Sequence, residues 1–100
     1  MSNPKVSASI NQWTVEFDPY GFAEDENWLE KADKVKDILR VEHVYVNGPI
    51  LDVGYCGGKY RGIIISENDW ENPLESVESK LPKEVSDRIY EWLIQYANGA

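Results

Sequence analysis

The chain has 100 residues, 42% hydrophobic and 12% aromatic, with 18 acidic against 10 basic side chains and a net charge of −8. That length supports one hydrophobic core, so a single domain over residues 1–100 is expected. The aromatic content excludes a disordered acidic tail, the charge argues against nucleic acid or anionic membrane as a partner, and the lone Cys56 excludes an internal disulfide.

In chain order, residues 6–17 bring Trp13, Val15 and Phe17 to one side at period two and predict a strand, frayed at its start, that stops at Asp18-Pro19. From Glu24 to Leu39, Trp28, Leu29, Ala32, Val35, Ile38 and Leu39 recur at helical spacing behind an acidic first turn, which predicts a helix. Three β-rich runs follow, 41–47, 50–56 and 60–66, punctuated by Gly48-Pro49 and Gly57-Gly58, and read as an antiparallel meander. Pro73 predicts a short helix over Leu74–Ser79. Pro82 opens a last helix with an inward face of Val85, Ile89, Trp92, Leu93 and Tyr96, ending near Gly99. The expected fold is α+β, in the order β-α-β-β-β-α-α: a four-stranded antiparallel sheet, made of the meander and the N-terminal strand, packed against two main helices.

Strand parity assigns faces. If Gly48-Pro49 is a two-residue turn, His43 lies opposite Gly54 and shares a face with Tyr45, Asp52 and Cys56. Val44, Val46, Leu51, Val53 and Tyr55 then take the core face, joined by Tyr60, Gly62 and Ile64. Arg61, Ile63 and Ile65 fall on the mixed face.

Catalytic and ligand-binding patterns are weak. His43 and Cys56 form the obvious base and nucleophile, with Asp52 and Arg61 on the same expected face as the elements of a small enzyme. Yet no helix N-terminus is expected beside Cys56 to activate it, and a lone strand cysteine ordinarily packs as a small hydrophobe. Gly54–Lys59 lacks phosphate-loop spacing and sits in a hairpin. Glu67, Asp69 and Glu71 alternate, but the sixth place counted from Glu67 is Asn72 and not the glycine of a calcium loop. One Cys and one His disfavour zinc. The expectation is no catalytic residue, no metal and no cofactor, in a protein that is not an enzyme.

The charge is not evenly spread. Eleven of the 18 carboxylates fall in two windows without any lysine or arginine, Glu16–Glu30 and Glu67–Glu78. Both contain aromatics in expected loops: Tyr20 and Phe22 in the first, Trp70 in the second. An aromatic ring rimmed by carboxylates suits the gripping of a basic partner, the ring supplying buried area and the rim charge complementarity. The candidate partner-binding residues are therefore Asp18, Tyr20, Phe22, Glu24, Asp25, Glu26, Glu67, Asp69, Trp70 and Glu71. The bland alternative is a solvated surface that keeps a small protein soluble, with the three aromatics pinning their loops to the core.

A strongly acidic α+β chain of this length, with loops such as Asp18-Pro19-Tyr20-Gly21-Phe22 and Glu67-Asn68-Asp69-Trp70-Glu71, resembles in overall profile the small immunity proteins of bacterial contact-dependent growth inhibition and nuclease-colicin systems. The resemblance implies a stoichiometric inhibitor that occludes the active site of a basic toxin nuclease. No apolar run approaches the ~18 residues of a membrane span and the N-terminus has no apolar signal core, so a cytoplasmic setting is expected. A second class of reading is an acidic adaptor or nucleic-acid mimic acting on a host DNA-binding protein.

Overall fold

A computed structural model describes residues 3–7 and 9–98. Its elements are β1 (Trp13–Phe17), α1 (Trp28–Lys31), β2 (Leu39–His43), β3 (Ile50–Cys56), β4 (Lys59–Ile65), β5 (Glu75–Ser79) and α2 (Pro82–Gln95), with a turn of 3-10 helix at Ile10–Gln12 ahead of β1. The fold is α+β. All neighbouring strands pair antiparallel in the order β1-β2-β3-β4-β5, a five-stranded meander.

Alternation along the strands sends one face into the core. Trp13, Leu39, Val41, Leu51, Val53, Tyr60 and Ile64 pack with Val85, Ile89, Trp92 and Leu93 of α2 and with Phe22, Trp28 and Leu29 of the segment around α1. Pro82 takes the first turn of α2, where its missing N–H costs no helical bond. A polar node joins the layer on this side. The Tyr90 hydroxyl accepts from Trp28 Nε1 at 2.9 Å and from Asn3 Nδ2 at 3.3 Å, and donates to the Glu26 carbonyl at 3.4 Å. Each of these buried groups is thereby satisfied.

Three expectations are corrected. The helix expected over Glu24–Leu39 is a single turn at Trp28–Lys31. Beyond it, Val35 and Ile38 lie along β3 instead, through Tyr55 N–H to Val35 O (2.8 Å) and Ile38 N–H to Val53 O (2.9 Å). Residues 74–79, expected as a short helix, contain strand β5, because the free edge of β4 supplies ladder partners that a local helical preference cannot match. Finally, His43 lies opposite Pro49 rather than Gly54, so the β2–β3 connection takes in Val44–Pro49. An odd slip exchanges faces. His43 joins the core side against Trp13, and Val44, Tyr45 and Val46 are exposed. The Gly57-Gly58 turn forms as expected, with φ of +62° and +81°, conformations that glycine adopts without strain.

The chain bulges at Lys36 and Asp37 where it passes Gly54. A Cβ on Gly54 would stand 1.9 Å from the Lys36 carbonyl oxygen, a backbone atom that cannot give way. At Gly62 the nearest atom is Ile89 Cδ1 at 3.0 Å, the end of a flexible side chain. Gly54→Ala should therefore destabilise the fold by about 2 kcal/mol or more, and Gly62→Ala by roughly half that. Thermal unfolding checks the order: about 10 °C lost for the first substitution and clearly less for the second. Equal losses would contradict the close approach at Gly54.

Candidate functional site

The two acidic windows serve different structural purposes. In the first, Asp18 accepts hydrogen bonds from the backbone N–H of Phe22 (2.7 Å) and Ala23 (3.3 Å), folding the chain after β1 back on itself. Phe22 is 0% exposed and packs edge-on against Trp28, 5.2 Å between centroids; the expectation that it is a surface anchor is corrected, since no partner can reach it. Tyr20 is half-buried against the core, its hydroxyl donating to Asp33 at 3.3 Å. Asp25 accepts from the Asn27 N–H at 2.8 Å and from the Lys31 ammonium, which holds its carboxyl below the ordinary value. Glu24 and Glu26 remain exposed, beside Asn3 and Tyr90 on the helical side of the molecule.

The second window divides. Glu75 accepts from the Tyr96 hydroxyl (2.7 Å), Gln95 (3.1 Å) and Arg88 (3.3 Å), which ties β5 to α2. The Tyr96 bond is the leading cause of a carboxyl held below its ordinary value. Glu78 pairs with Arg61 across the strands at 3.8 Å. The free carboxylates are those of the loop between β4 and β5, where Glu67, Asp69 and Glu71 are all exposed. Asp69 accepts from the Asn72 N–H at 3.3 Å, and Glu67 and Asn68 are successive left-handed residues with φ of 55° and 60°. Asn68 adopts that conformation readily, whereas for Glu67 it is costly and persists where the surroundings impose it.

That turn delivers Trp70 onto the sheet. The Arg40 guanidinium lies 5.0 Å from the Trp70 ring centroid, within cation–π range. Arg40 alternates with the buried Leu39 and Val41, so Trp70 stands over the face turned away from α2. Trp13, Trp28 and Trp92 are buried, and Trp70 is 41% exposed. The windows therefore do not merge. Glu67, Asp69, Trp70 and Glu71 are brought together on the bare face of the sheet, whereas Glu24, Asp25 and Glu26 belong to the helical layer with Phe22.

On the bare face a groove of about 370 Å³ is lined by Glu16, Phe17, Asp37, Leu39, Arg40, Glu42 and Asp52. Arg40 Nε and Nη2 both donate to Asp52 Oδ2, each at 3.2 Å. Burial nevertheless pushes the Asp52 carboxyl above its ordinary value, outweighing the Arg40 contact. The β-bulge between Val15 and Phe17 turns Phe17 out, 45% exposed, opposite Arg40. Sequence reasoning missed this groove because Phe17 continues the alternation of Trp13 and Val15 and so reads as core. The one available signal was Asp18-Pro19 immediately after it, a place where pairing breaks.

The proposed enzyme face does not assemble. Asp52, Cys56 and Arg61 line one shallow depression, but His43 is on the other side of the sheet. Its Nδ1 accepts the Tyr45 N–H at 3.1 Å, so Nε2 carries the proton and donates to the Ala97 carbonyl at 2.7 Å. This imidazole ties the β2–β3 connection to the end of α2 and is not available to Cys56.

Comparison with protein-family models, with curated proteins and with solved structures finds no match. No helix among the described residues is long and apolar enough to cross a membrane.

The raised carboxyl of Asp52 fixes a sign. The folded state favours its protonated form, so its contribution to stability is full below the ordinary carboxylate value and is lost as pH rises through the raised one. Asp52→Asn, which removes the partly buried charge and still offers Arg40 an acceptor, should be at least as stable as the parent at pH 7. The advantage should shrink toward pH 4. Urea unfolding of both proteins at pH 4, 5.5 and 7 checks this. A variant clearly less stable at pH 7 would show that the Arg40 pairing outweighs desolvation.

Proposed function

We propose that this protein is a stoichiometric inhibitor of the immunity type, binding a basic toxin domain, a nuclease by the chemistry its surface complements, in the bacterial cytoplasm. The observation that carries the reading is Trp70: a large aromatic held half-open over Arg40, in a loop whose Glu67, Asp69 and Glu71 carboxylates are solvent-facing. A nuclease site attracts a polyanion and therefore presents lysines and arginines, which carboxylates at matching positions can occupy. Opposite charge lifts association toward 10⁸–10⁹ M⁻¹s⁻¹ at low salt, an advantage when a toxin must be stopped before it cuts. Desolvation of the indole supplies residence time.

The contact surface is centred on Glu67, Asp69, Trp70 and Glu71. Asp18, Tyr20 and Asp25 are engaged in holding the first loop, and Phe22 is inside. Glu24 and Glu26 contribute long-range charge from the helical layer. The same surface repels nucleic acid, and the reading assigns no metal, cofactor or catalytic residue. An acidic mimic acting on a host DNA-binding protein would use the same charges; identifying the protein retained from the native host separates the two.

Loop carboxylates and indole should have separable kinetic effects. Changing Glu67, Asp69 and Glu71 together to their amides should slow association and flatten its dependence on ionic strength. Trp70→Ala should leave association nearly unchanged and speed dissociation, a loss of about 2 kcal/mol. Surface plasmon resonance at several salt concentrations, against the toxin domain encoded upstream or a basic protein retained from the host, provides the measurement. Unchanged rates in both variants, each shown to be folded, would reduce this loop to a solvated turn and remove the reading.

A further inference from the structure

We infer that the bare face of the sheet is a seat for an arginine side chain presented by the basic partner. The inference rests on the reading of this protein as a binder of basic proteins and names where on it such a partner docks. The groove carries four carboxylates, Glu16, Asp37, Glu42 and Asp52, against a single guanidinium, that of Arg40. Arg40 is committed to Asp52, and no ion pair among the described residues engages Glu16, Asp37 or Glu42. Three like charges around one groove repel each other, and an entering cation relieves that repulsion.

The molecule already shows which cation suits this surface. Arg40 offers two donors to one carboxylate while its guanidinium lies against an aromatic ring, at 3.2 Å and 5.0 Å respectively. A second arginine finds the same two components beside it, free carboxylates and the half-exposed ring of Phe17, which lies in the same groove and opposite Arg40 across the strands. The planar fork of arginine stacks face-on against a ring while pairing two donors with a carboxylate, whereas the ammonium of lysine is a compact, strongly hydrated point charge that cannot stack. Other occupants fit less well. A second copy brings a net charge of −8 to an already acidic face. A metal ion lacks a ligand set, because among the described residues no three His, Cys, Asp or Glu side chains converge as one. A groove of about 370 Å³ has the capacity of an ordinary small binding pocket.

The test needs no toxin. ¹⁵N-labelled protein is titrated with N-acetyl-tetraarginine amide and, separately, with the tetralysine and tetraglutamate analogues, at low and physiological salt. The expected result is saturable shifts at the backbone amides of Phe17, Arg40, Glu42 and Asp52 and at the Trp70 indole, with arginine binding about three-fold tighter than lysine and no response to glutamate. Phe17→Ala should reduce affinity by about three-fold and erase the arginine preference. Glu42→Gln with Asp37→Asn, both at partly or fully exposed positions, should reduce it by about five-fold and lower its salt dependence. Shifts centred on Glu24–Glu30, equal affinities for arginine and lysine, or folded groove variants that bind as the parent does would each overturn the seat. Its failure is distinct from that of the inhibitor reading. A groove silent to tetraarginine in a protein that still captures the toxin through Trp70 overturns the seat alone. A responsive groove in a protein that leaves the toxin active supports the seat and removes the inhibitor.

Discussion

A five-stranded sheet has two faces, and the helical layer of this chain covers one, while the other keeps only local cover over Ile50 and Ile65. The molecule measures 34 × 31 × 19 Å, and the short dimension equals a sheet of about 10 Å plus one layer of about 10 Å built on the 14-residue α2. Every other property follows from that two-layer limit. The covered face collects most of the buried aliphatic and aromatic side chains and a fully satisfied polar node at Tyr90. The bare face must remain compatible with water, and does so by setting Arg40, Glu42, Asp52 and Arg61 among the apolar side chains that alternation leaves there.

The bare face is nevertheless only partly solvated. The β4–β5 loop lies back over it and places Trp70 on Arg40, and the β1 bulge turns Phe17 outward beside it. Both devices are local departures from regular structure, two left-handed residues in one case and a register shift in the other. Each leaves aromatic surface exposed, Trp70 at 41% and Phe17 at 45%. On the reading proposed above they serve as anchors, and the surrounding carboxylates set the sign of the partner. The helical layer shows the opposite economy: Asp18, Asp25 and Glu75, from the same acidic windows, are occupied in holding the fold.

Strands β3 and β4, the Gly57-Gly58 hairpin and α2 with its inward face were legible because local pattern and tertiary environment agree there. Legibility ended where they diverge. Residues 41–46 alternate acceptably in either parity, so the register depended on the turn. Gly48 settles it by packing against His43, where a Cβ would stand 2.8 Å from His43 Cβ, and periodicity cannot convey such an approach. Val35 and Ile38 have helical spacing from Trp28 and Leu29, but the backbone of β3 offers them pairing that outweighs a helix rich in Lys and Asp. Glu75–Ser79 carries little strand propensity and pairs because β4 has a free edge. At the site, Trp70 and its carboxylates were legible as composition in a loop. The partnership with Arg40, and the groove beside it, arise from register and a bulge and leave no local mark.

Within the acidic windows the two layers divide the labour: Asp18, Asp25 and Glu75 hold the fold on the helical side, and on the reading proposed above Glu67, Asp69 and Glu71 of the β4–β5 loop meet the partner. Hydroxyl-radical footprinting of the protein with the proposed basic partner tests that division directly, because exposed apolar side chains report on each surface: Trp70 and Phe17 on the bare face, Leu81 and Ile94 on the helical side. The account predicts that oxidation of Trp70 and Phe17 falls several-fold in the complex while Leu81 and Ile94 react as in the free protein. Protection of Leu81 and Ile94 with Trp70 and Phe17 unchanged would place the partner on the helical layer and contradict it.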